Sequence, residues 1–436
     1  MAELATGPTK RGFHDASRPA AQRPSGPRVY EADSPSAAAC AGRNPGHGSR
    51  VTGRAEPCGL YIHVPVCRSK CRYCGFYSVP ASGVDAGRLV DGLLRESERY
   101  DGVEFCTAYI GGGSPTALPA GELLRLVCRV RERCPWAEEF TVECNPGQVD
   151  DGLLAGLRAV GVNRLSFGAQ SFLAWELELL GRGHTVEQIG TTVAMARRAG
   201  FENVGLDLIF AIPGSTLADW QASLETAVGL NIEHVSAYGL SFEAGTVFNA
   251  WCQAGRLTAV EEELDRAMYE WAVERLERAG LEQYEISNFG RAGCECRHNL
   301  GYWANRPYVG IGPAAASYMV GGVGATQGGR RITNNADIER YLAAVECGRA
   351  APAEVAVMSE DDAVCETAVL NLRRRAGIDL AEFRRRTGRD AMQTFAEPIR
   401  RYQEIGLIEV TDRAVRLTQR ALPIADTILC DFSALE

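Results

Sequence analysis

From Gly59 onward the chain keeps one rhythm, and that rhythm limits the folds open to it. Short β-rich runs recur as GLYIHV, CTAYIGG, EFTVECNP, NRLSFGAQS, ENVGLDLIFAIPG and IEHVSAYGLSFE. Between most of them lie helical patterns such as GRLVDGLLRESERY, GELLRLVCRVRERC and DGLLAGLRAVG, with glycine where a helix C-cap wants it. Six strand-then-helix units at a spacing of roughly 20–40 residues mean parallel strands with helices outside. A closed eight-unit barrel needs two more units, so an α/β fold built on an open or partial six-unit barrel is expected over residues 56–290.

The ends of the chain read differently. Residues 1–55 are rich in Pro, Ala, Gly, Ser and Arg without a sustained hydrophobic period, and are expected to be disordered. Met1–Arg54 holds eight Lys or Arg against four acids, but its prolines argue against the amphipathic helix of a transit peptide. After QYEISNFGRAG, residues 291–352 read as a connecting segment containing RHNLGYW. Residues 353–436 read as helices followed by GLIEVTDRAVRLTQ, two strands around a turn, the order of a winged-helix-like domain. That region has twelve Arg against fifteen acids, and the whole chain carries a net charge of −9. Neither provides the basic field of a nucleic-acid binder, so packing or partner docking is the expected role of the C-terminal domain. No apolar run is long enough to span a membrane and no signal-peptide core opens the chain, which points to the cytoplasm. Fifteen cysteines in a reducing compartment are read as metal ligands or small core residues.

In parallel β/α folds the chemistry gathers at the C-terminal ends of strands. The unusual residues here fall there. The first strand runs into CRSKCRYC, with Cys67, Cys71 and Cys74, and the second into Gly111, Gly112, Gly113 and Ser114. Glu143, Gln170, Asp207 and Tyr238 follow on the next four strands. Each alone has a bland reading as a turn or a structural hydrogen-bond partner; their joint placement on one rim points to a site. Three cysteines are one short of a zinc ribbon or an ordinary ferredoxin cluster. Either another protein ligand, with Cys58 as the candidate for a structural zinc site, or a non-protein ligand must complete the set.

The CxxxCxxC spacing resembles that of radical S-adenosylmethionine (SAM) enzymes, whose core is a partial (β/α)6 barrel. In such enzymes three thiolates hold a 4Fe-4S cluster and SAM chelates the fourth iron. YIHVPVC, YIGGGSPTAL, RLSFGAQSF, LGRGHT, LDLIFAIPG, YEISNF, RHNLGYW and YVGIGP extend the resemblance to the HemN/HemW branch over residues 57–436. The resemblance implies Cys67, Cys71 and Cys74 as cluster ligands, and Tyr61, Gly112 and Glu143 around SAM. It places Tyr73, Gly113, Ser114, Gln170, Arg182 and Asp207 at positions that contact a second SAM in HemN-type proteins.

Two features choose within the branch. Phe76 stands where dehydrogenases of the branch carry another cysteine, and RHNLGYW matches the HNxxYW motif of its haem-chaperone members, giving His298 as a candidate haem ligand. Tyr302 and Trp303 are then placed to cover a porphyrin face. Other positions depart from the branch pattern: VPFC is VPVC, GGGTP is GGGSP, FGLPG is FAIPG with Ala211, and GPGAHS is GPAAAS with Ala316 in place of histidine. The implied function is a haem chaperone that binds haem, a 4Fe-4S cluster and SAM and passes haem to acceptor proteins, respiratory enzymes among the candidates. No coproporphyrinogen dehydrogenase activity is expected. A coproporphyrinogen-III-oxidase-like or other porphyrin-directed enzyme, and a cluster-stabilised docking protein without turnover, remain the alternatives. A homodimer is one assembly the resemblance allows.

Overall fold

The computed structural model describes residues 58–320 and 328–435 of the 436. The extension expected over residues 1–55 lies outside the described residues. Strand β1 (Cys58–Val64) shows how the fold is organised. Leu60, Ile62 and Val64 enter the main core, whereas Tyr61 joins a separate small cluster with Tyr109 and Cys296. Successive side chains point to opposite faces, so one face packs under helices and the other is left for polar and aromatic groups.

The loop after β1 closes with a short ladder between β2 (Val66–Cys67) and β3 (Val79–Pro80). Helix α1 (Ala86–Ser97) starts at Asp85, whose carboxylate accepts from the Arg88 amide at 3.0 Å and satisfies an otherwise orphaned donor. Leu89, Val90 and Leu93 form its buried stripe. Then come β4 (Phe105–Gly112), α2 (Ala120–Arg133), β5 (Glu139–Cys144), α3 (Asp151–Ala159) and β6 (Arg164–Gln170). Helices α4 (Ala174–Leu180) and α5 (Val186–Arg198) lead to β7 (Val204–Phe210), and α6 (Leu217–Gly229), opened by a Thr216–Asp219 capping box, leads to β8 (His234–Gly239). Strands β1, β4, β5, β6, β7 and β8 are neighbours in that order and all parallel. The six expected units are present.

The sheet is wider than the sequence reading. After α7 (Val247–Gln253) and α8 (Glu262–Arg278), the strands β9 (Glu282–Gln283) and β10 (Asn288–Gly290) extend it antiparallel beyond β8. On the other side, after α9 (Arg297–Trp303), β11 (Tyr308–Ile311) lies parallel to β1. It is followed outward by β12 (Ala316–Met319), β13 (Arg330–Asn334) and β14 (Ala353–Val357), all antiparallel. Residues 291–352, read as a connection, thus supply three strands of a twelve-stranded sheet, and residues 353–357 supply its edge. These strands are short and glycine-flanked, so no period stands out in the sequence. Helix α10 (Ile338–Glu346) packs on α1, and Glu96 ties the pieces together by accepting from Tyr341, Gly312 and Asn334.

From α11 (Glu360–Leu372) onward, the C-terminal region holds α12 (Leu380–Thr387), α13 (Ala391–Thr394) and α14 (Ala396–Glu404). A small sheet of β15 (Ile378–Asp379), β16 (Ile408–Val410) and β17 (Ala414–Leu417) in the order β15-β17-β16 completes it. No helix among the described residues is long and apolar enough to cross a membrane.

Candidate functional site

The three thiols sit on the loop leaving β1, each half-buried. The loop is anchored at its middle: the Arg72 amide donates to Leu180 O at 3.0 Å, and its guanidinium donates to Glu178 O at 2.7 Å and Leu179 O at 3.0 Å. Arg72 therefore serves the orphaned carbonyls at the end of α4. Its own carbonyl accepts from the Phe248 amide at 3.0 Å, and Tyr73 packs on the Phe248 ring. Burial raises the Cys67 and Cys74 thiols above their ordinary range. A cation held by the thiolates reverses that penalty. Among the described residues no group of three His, Cys, Asp or Glu side chains is already arranged as a metal site. The donor set still fits an iron–sulfur cubane with one open position, because all three thiols belong to one anchored loop. Cys58 does not complete them: it opens β1 at the far end, six residues and roughly 20 Å of strand from Val64.

Facing this loop is the glycine-rich end of β4. A Cβ on Gly111 would lie 2.7 Å from the Glu143 carboxyl, one on Gly112 2.5 Å from the His63 ring, and one on Gly113 2.5 Å from Val66 O. Each glycine permits a different close approach, and Gly112 also has φ of +108°. The rim is thereby drawn against both the cysteine loop and Glu143. Glu143 accepts from Tyr109 at 2.7 Å and from the Gly112 amide at 3.2 Å. Burial raises its carboxyl above the ordinary carboxylate range, and does the same for Asp207, which accepts from Ser166 at 3.2 Å. Tyr61 reaches the same face, bonded to His63 Nδ1 at 3.0 Å.

Arg182 joins the parts. It donates to Cys71 Sγ at 3.2 Å, to Gly168 O at 2.6 Å and to Asn145 Oδ1. Asn145 donates in turn to Ser114 Oγ at 2.9 Å, and Ser114 donates to Gln148 Oε1 at 3.0 Å. Gln170 ends β6 in the left-handed region, at φ of 69°, beside a break in the β6–β7 register. Tyr61, Tyr73, Gly112, Gly113, Ser114, Glu143, Gln170, Arg182 and Asp207 thus lie on or beside one rim. Tyr109, His63, Asn145 and Gln148 were missed as members. Asn145 was findable, two residues after Glu143 in ECNPGQ, whereas Tyr109 looks like ordinary strand filling.

His298 lies beneath the rim. It is buried on α9, with Nδ1 2.8 Å from Thr107 Oγ1 and Nε2 2.9 Å from Tyr302 OH, and its ring stacks on Tyr109 at 5.1 Å. Burial lowers its pKa to about 3. Thr107 pairs with Gly59, so His298 sits lower along β1 than the glycine-rich end of β4, directly beneath Tyr109 and 6.5 Å from the Tyr61 ring. The Glu139 carboxylate, on β5, accepts from the Arg297 amide at 2.8 Å and the His298 amide at 3.0 Å, holding the start of α9. At the other end Trp303 O accepts from Asn371 at 3.2 Å, and the Trp303 ring lies under the Arg373 guanidinium. Tyr302 meets Tyr308 edge-on at 4.5 Å.

This geometry can be set against known proteins. Residues 61–227 match the model of the radical SAM superfamily, and residues 358–424 match that of the HemN C-terminal domain. Among solved structures, the radical SAM enzyme coproporphyrinogen III oxidase (HemN) from Escherichia coli superposes with a TM-score of 0.72 at 21% identity, covering 87% of this chain and 90% of its own. Fold and rim together define a radical SAM protein of the HemN type. More specific are the curated relatives. The heme chaperone HemW of Bacillus subtilis is 35% identical over 85% of this chain and 98% of its own length. That of Lactococcus lactis is 32% identical over 86% and 97%. A mitochondrial radical S-adenosyl methionine domain-containing protein 1 from Bos taurus is 31% identical over 86% and 87%. The chain belongs to the HemW family.

Proposed function

We propose that this protein is a haem chaperone on a radical SAM scaffold, which binds haem, a 4Fe-4S cluster and SAM and transfers haem to acceptor proteins. The observation that carries the scaffold half is the anchored three-thiol loop facing Gly112 and Glu143, to which Cys58, at the far end of β1, adds no fourth thiol. Cys67, Cys71 and Cys74 hold the cluster; Tyr61, Gly112 and Glu143 receive SAM; Tyr73, Gly113, Ser114, Gln170, Arg182 and Asp207 offer room for a second SAM. When bound, the cluster supplies an open iron and an electron. The chain contributes the rest. Arg182 offsets charge at Cys71, and Glu143 accepts from a ligand ammonium group at a site where burial strengthens the bond.

The haem half rests on the relatives and on His298 within RHNLGYW. A neutral imidazole is the form that ligates iron, and burial keeps His298 neutral. Its Nε2 is held by Tyr302, so ligation requires that hydroxyl to give way. Dehydrogenation of coproporphyrinogen III is not part of the proposal, since Phe76 replaces the extra cysteine. The test is haem titration together with SAM cleavage on one anaerobically reconstituted sample. A Soret band that weakens in His298→Ala is expected, with iron content unchanged. Haem binding indifferent to His298 would remove that ligand alone; dehydrogenase turnover without haem binding would overturn the chaperone reading.

A further inference from the structure

Where β8 and β10 give way to α9, β11 and the end of α11, the inner face of the sheet borders a cavity. It is bordered by Tyr61, Glu285, Asn299, Trp303, Leu370 and Arg373, among others. Its void is about 80 Å³, counted as positions open to the centre of a water molecule. A single water needs roughly 10–15 Å³ on that measure, so the space suits a molecule of several non-hydrogen atoms and excludes a porphyrin. Of the residues assigned above, Tyr61 from the SAM side and Tyr302 and Trp303 from the RHNLGYW motif border it, whereas the cysteines, Glu143 and His298 do not.

The wall is chemically two-sided. Glu285 is fully buried; its Oε1 accepts from the Ser287 amide at 3.1 Å and from Asn288, while its Oε2 has no partner. Asn299, 4% exposed, leaves its Oδ1 without a partner. These are two acceptors. Trp303 Nε1 and Arg373 Nε are donors, also buried and without partners, although the other arm of the guanidinium reaches Asp426 at 3.4 Å. Buried polar groups are nearly always satisfied, and these four, beside Asn288 Oδ1 and Tyr308 OH on the same wall, point to a guest that brings complementary groups. A plain carboxylate would face Glu285, and a plain cation would face Arg373. A molecule carrying both an ammonium and a carboxylate satisfies all four atoms.

We propose that this cavity binds an α-amino acid zwitterion, its ammonium group on Glu285 and Asn299 and its carboxylate on Arg373 and Trp303. The neighbouring tyrosine rings take an apolar side chain. Two sources share this chemistry: a free amino acid, or the methionyl end of a SAM molecule. The cavity shares the Tyr61 wall with the SAM side of the rim and the Tyr302 and Trp303 wall with the RHNLGYW motif.

The test is calorimetric titration of the full-length protein with L-methionine, N-acetyl-L-methionine, 3-(methylthio)propylamine and SAM. L-Methionine is expected to bind, with both blocked analogues weaker by about tenfold or more. Glu285→Gln and Arg373→Gln should each cost a similar factor. Loss of one SAM equivalent in Glu285→Gln, with methionine displaced by SAM, assigns the guest to SAM. Methionine binding that SAM does not displace assigns it to a free amino acid. Absence of any binding at millimolar methionine and SAM, which leaves the cavity to water, overturns the proposal. So does equal affinity for the N-acetyl analogue, and that outcome stands even if a variant fails to fold.

Discussion

The thiol loop and His298 both lie against β1 and β4, yet they are held in opposite ways. The thiols are half-buried, and only Cys71 is bound by a neighbouring charged side chain, Arg182. His298 is buried, and both of its ring nitrogens are engaged. The loop keeps its thiols half-buried, whereas the imidazole has neither nitrogen open. The backbone is less divided. Gln170, Ala211 and Ala314 adopt positive φ at or just past the C-terminal ends of β6, β7 and β11, and Asn305, just past α9, does so at 51°.

The largest effect expected from this contrast is on iron. Changing any one of Cys67, Cys71 or Cys74 to Ala should abolish a stable cubane of about four irons, measured by iron and sulfide content, whereas Cys58→Ala should leave it intact. Iron lost in the Cys58 variant would mean the loop does not act alone.

Acidity should separate the regions next. His298 is lowered to about 3, and His63 and His184 to about 4, all chiefly by burial, against an ordinary value of 6.5. Between those values the unfolded chain binds more protons. The stability is therefore complete above pH 6.5 and lost as pH falls toward 4, on the order of a few kcal/mol. Glu143 and Asp207 are raised by burial, so their contribution is complete at low pH and declines as pH rises through their folded values. Denaturant titrations across pH should show a shallower acid limb in His298→Gln; an unaltered limb would contradict the buried neutral imidazole.

Third in size is SAM. Glu143→Ala removes one charge-assisted hydrogen bond, worth roughly 1.5–3 kcal/mol or about 10- to 150-fold in affinity, and should blunt the change that SAM makes in the EPR spectrum of the reduced cluster. A wild-type spectrum that ignores SAM would count against the whole rim assignment.

A smaller effect tests the His298 latch directly. Tyr302→Phe frees Nε2 from a bond of about 1 kcal/mol, so haem affinity should rise about fivefold in a Soret titration. Weaker binding in this variant would make Tyr302 a contact of the haem and not its competitor. The smallest effect is on backbone strain. Ala211 has φ of 57° and Ala314 φ of 62°, a region costly to alanine, so Ala211→Gly and Ala314→Gly should each raise stability by about 0.5–1 kcal/mol, read as an upward Tm shift.

The rim was legible because strand period and CRSKCRYC spacing are local. Glu143, Gln170 and Asp207 could be placed by counting along strands, and the six parallel units by the alternation of β-rich and helical runs. What surrounds His298 was not legible. Its partner Thr107 is 191 residues away, and its burial depends on α9 docking onto strands whose inward faces no period announces. Strands β11 to β14 escaped for a related reason: four- and five-residue runs broken by Gly and Pro carry too little pattern to separate from loop. YVGIGP was read only as part of a motif, not as a strand beside β1.

Glu139 gives the molecule a mechanical property. By accepting from the Arg297 and His298 amides it works as a pivot at the start of α9. The far end is stitched to the C-terminal region, through Asn371 on Trp303 O and through the Arg386 guanidinium on Ala304 O at 2.6 Å and Asn305 O at 2.5 Å. A short rod pinned at one end and tethered at the other can swing only when the tether lets go. Arg386 is on α12, so the end of α9 is joined to the C-terminal region, while the cysteine loop is joined through Arg72 to the end of α4.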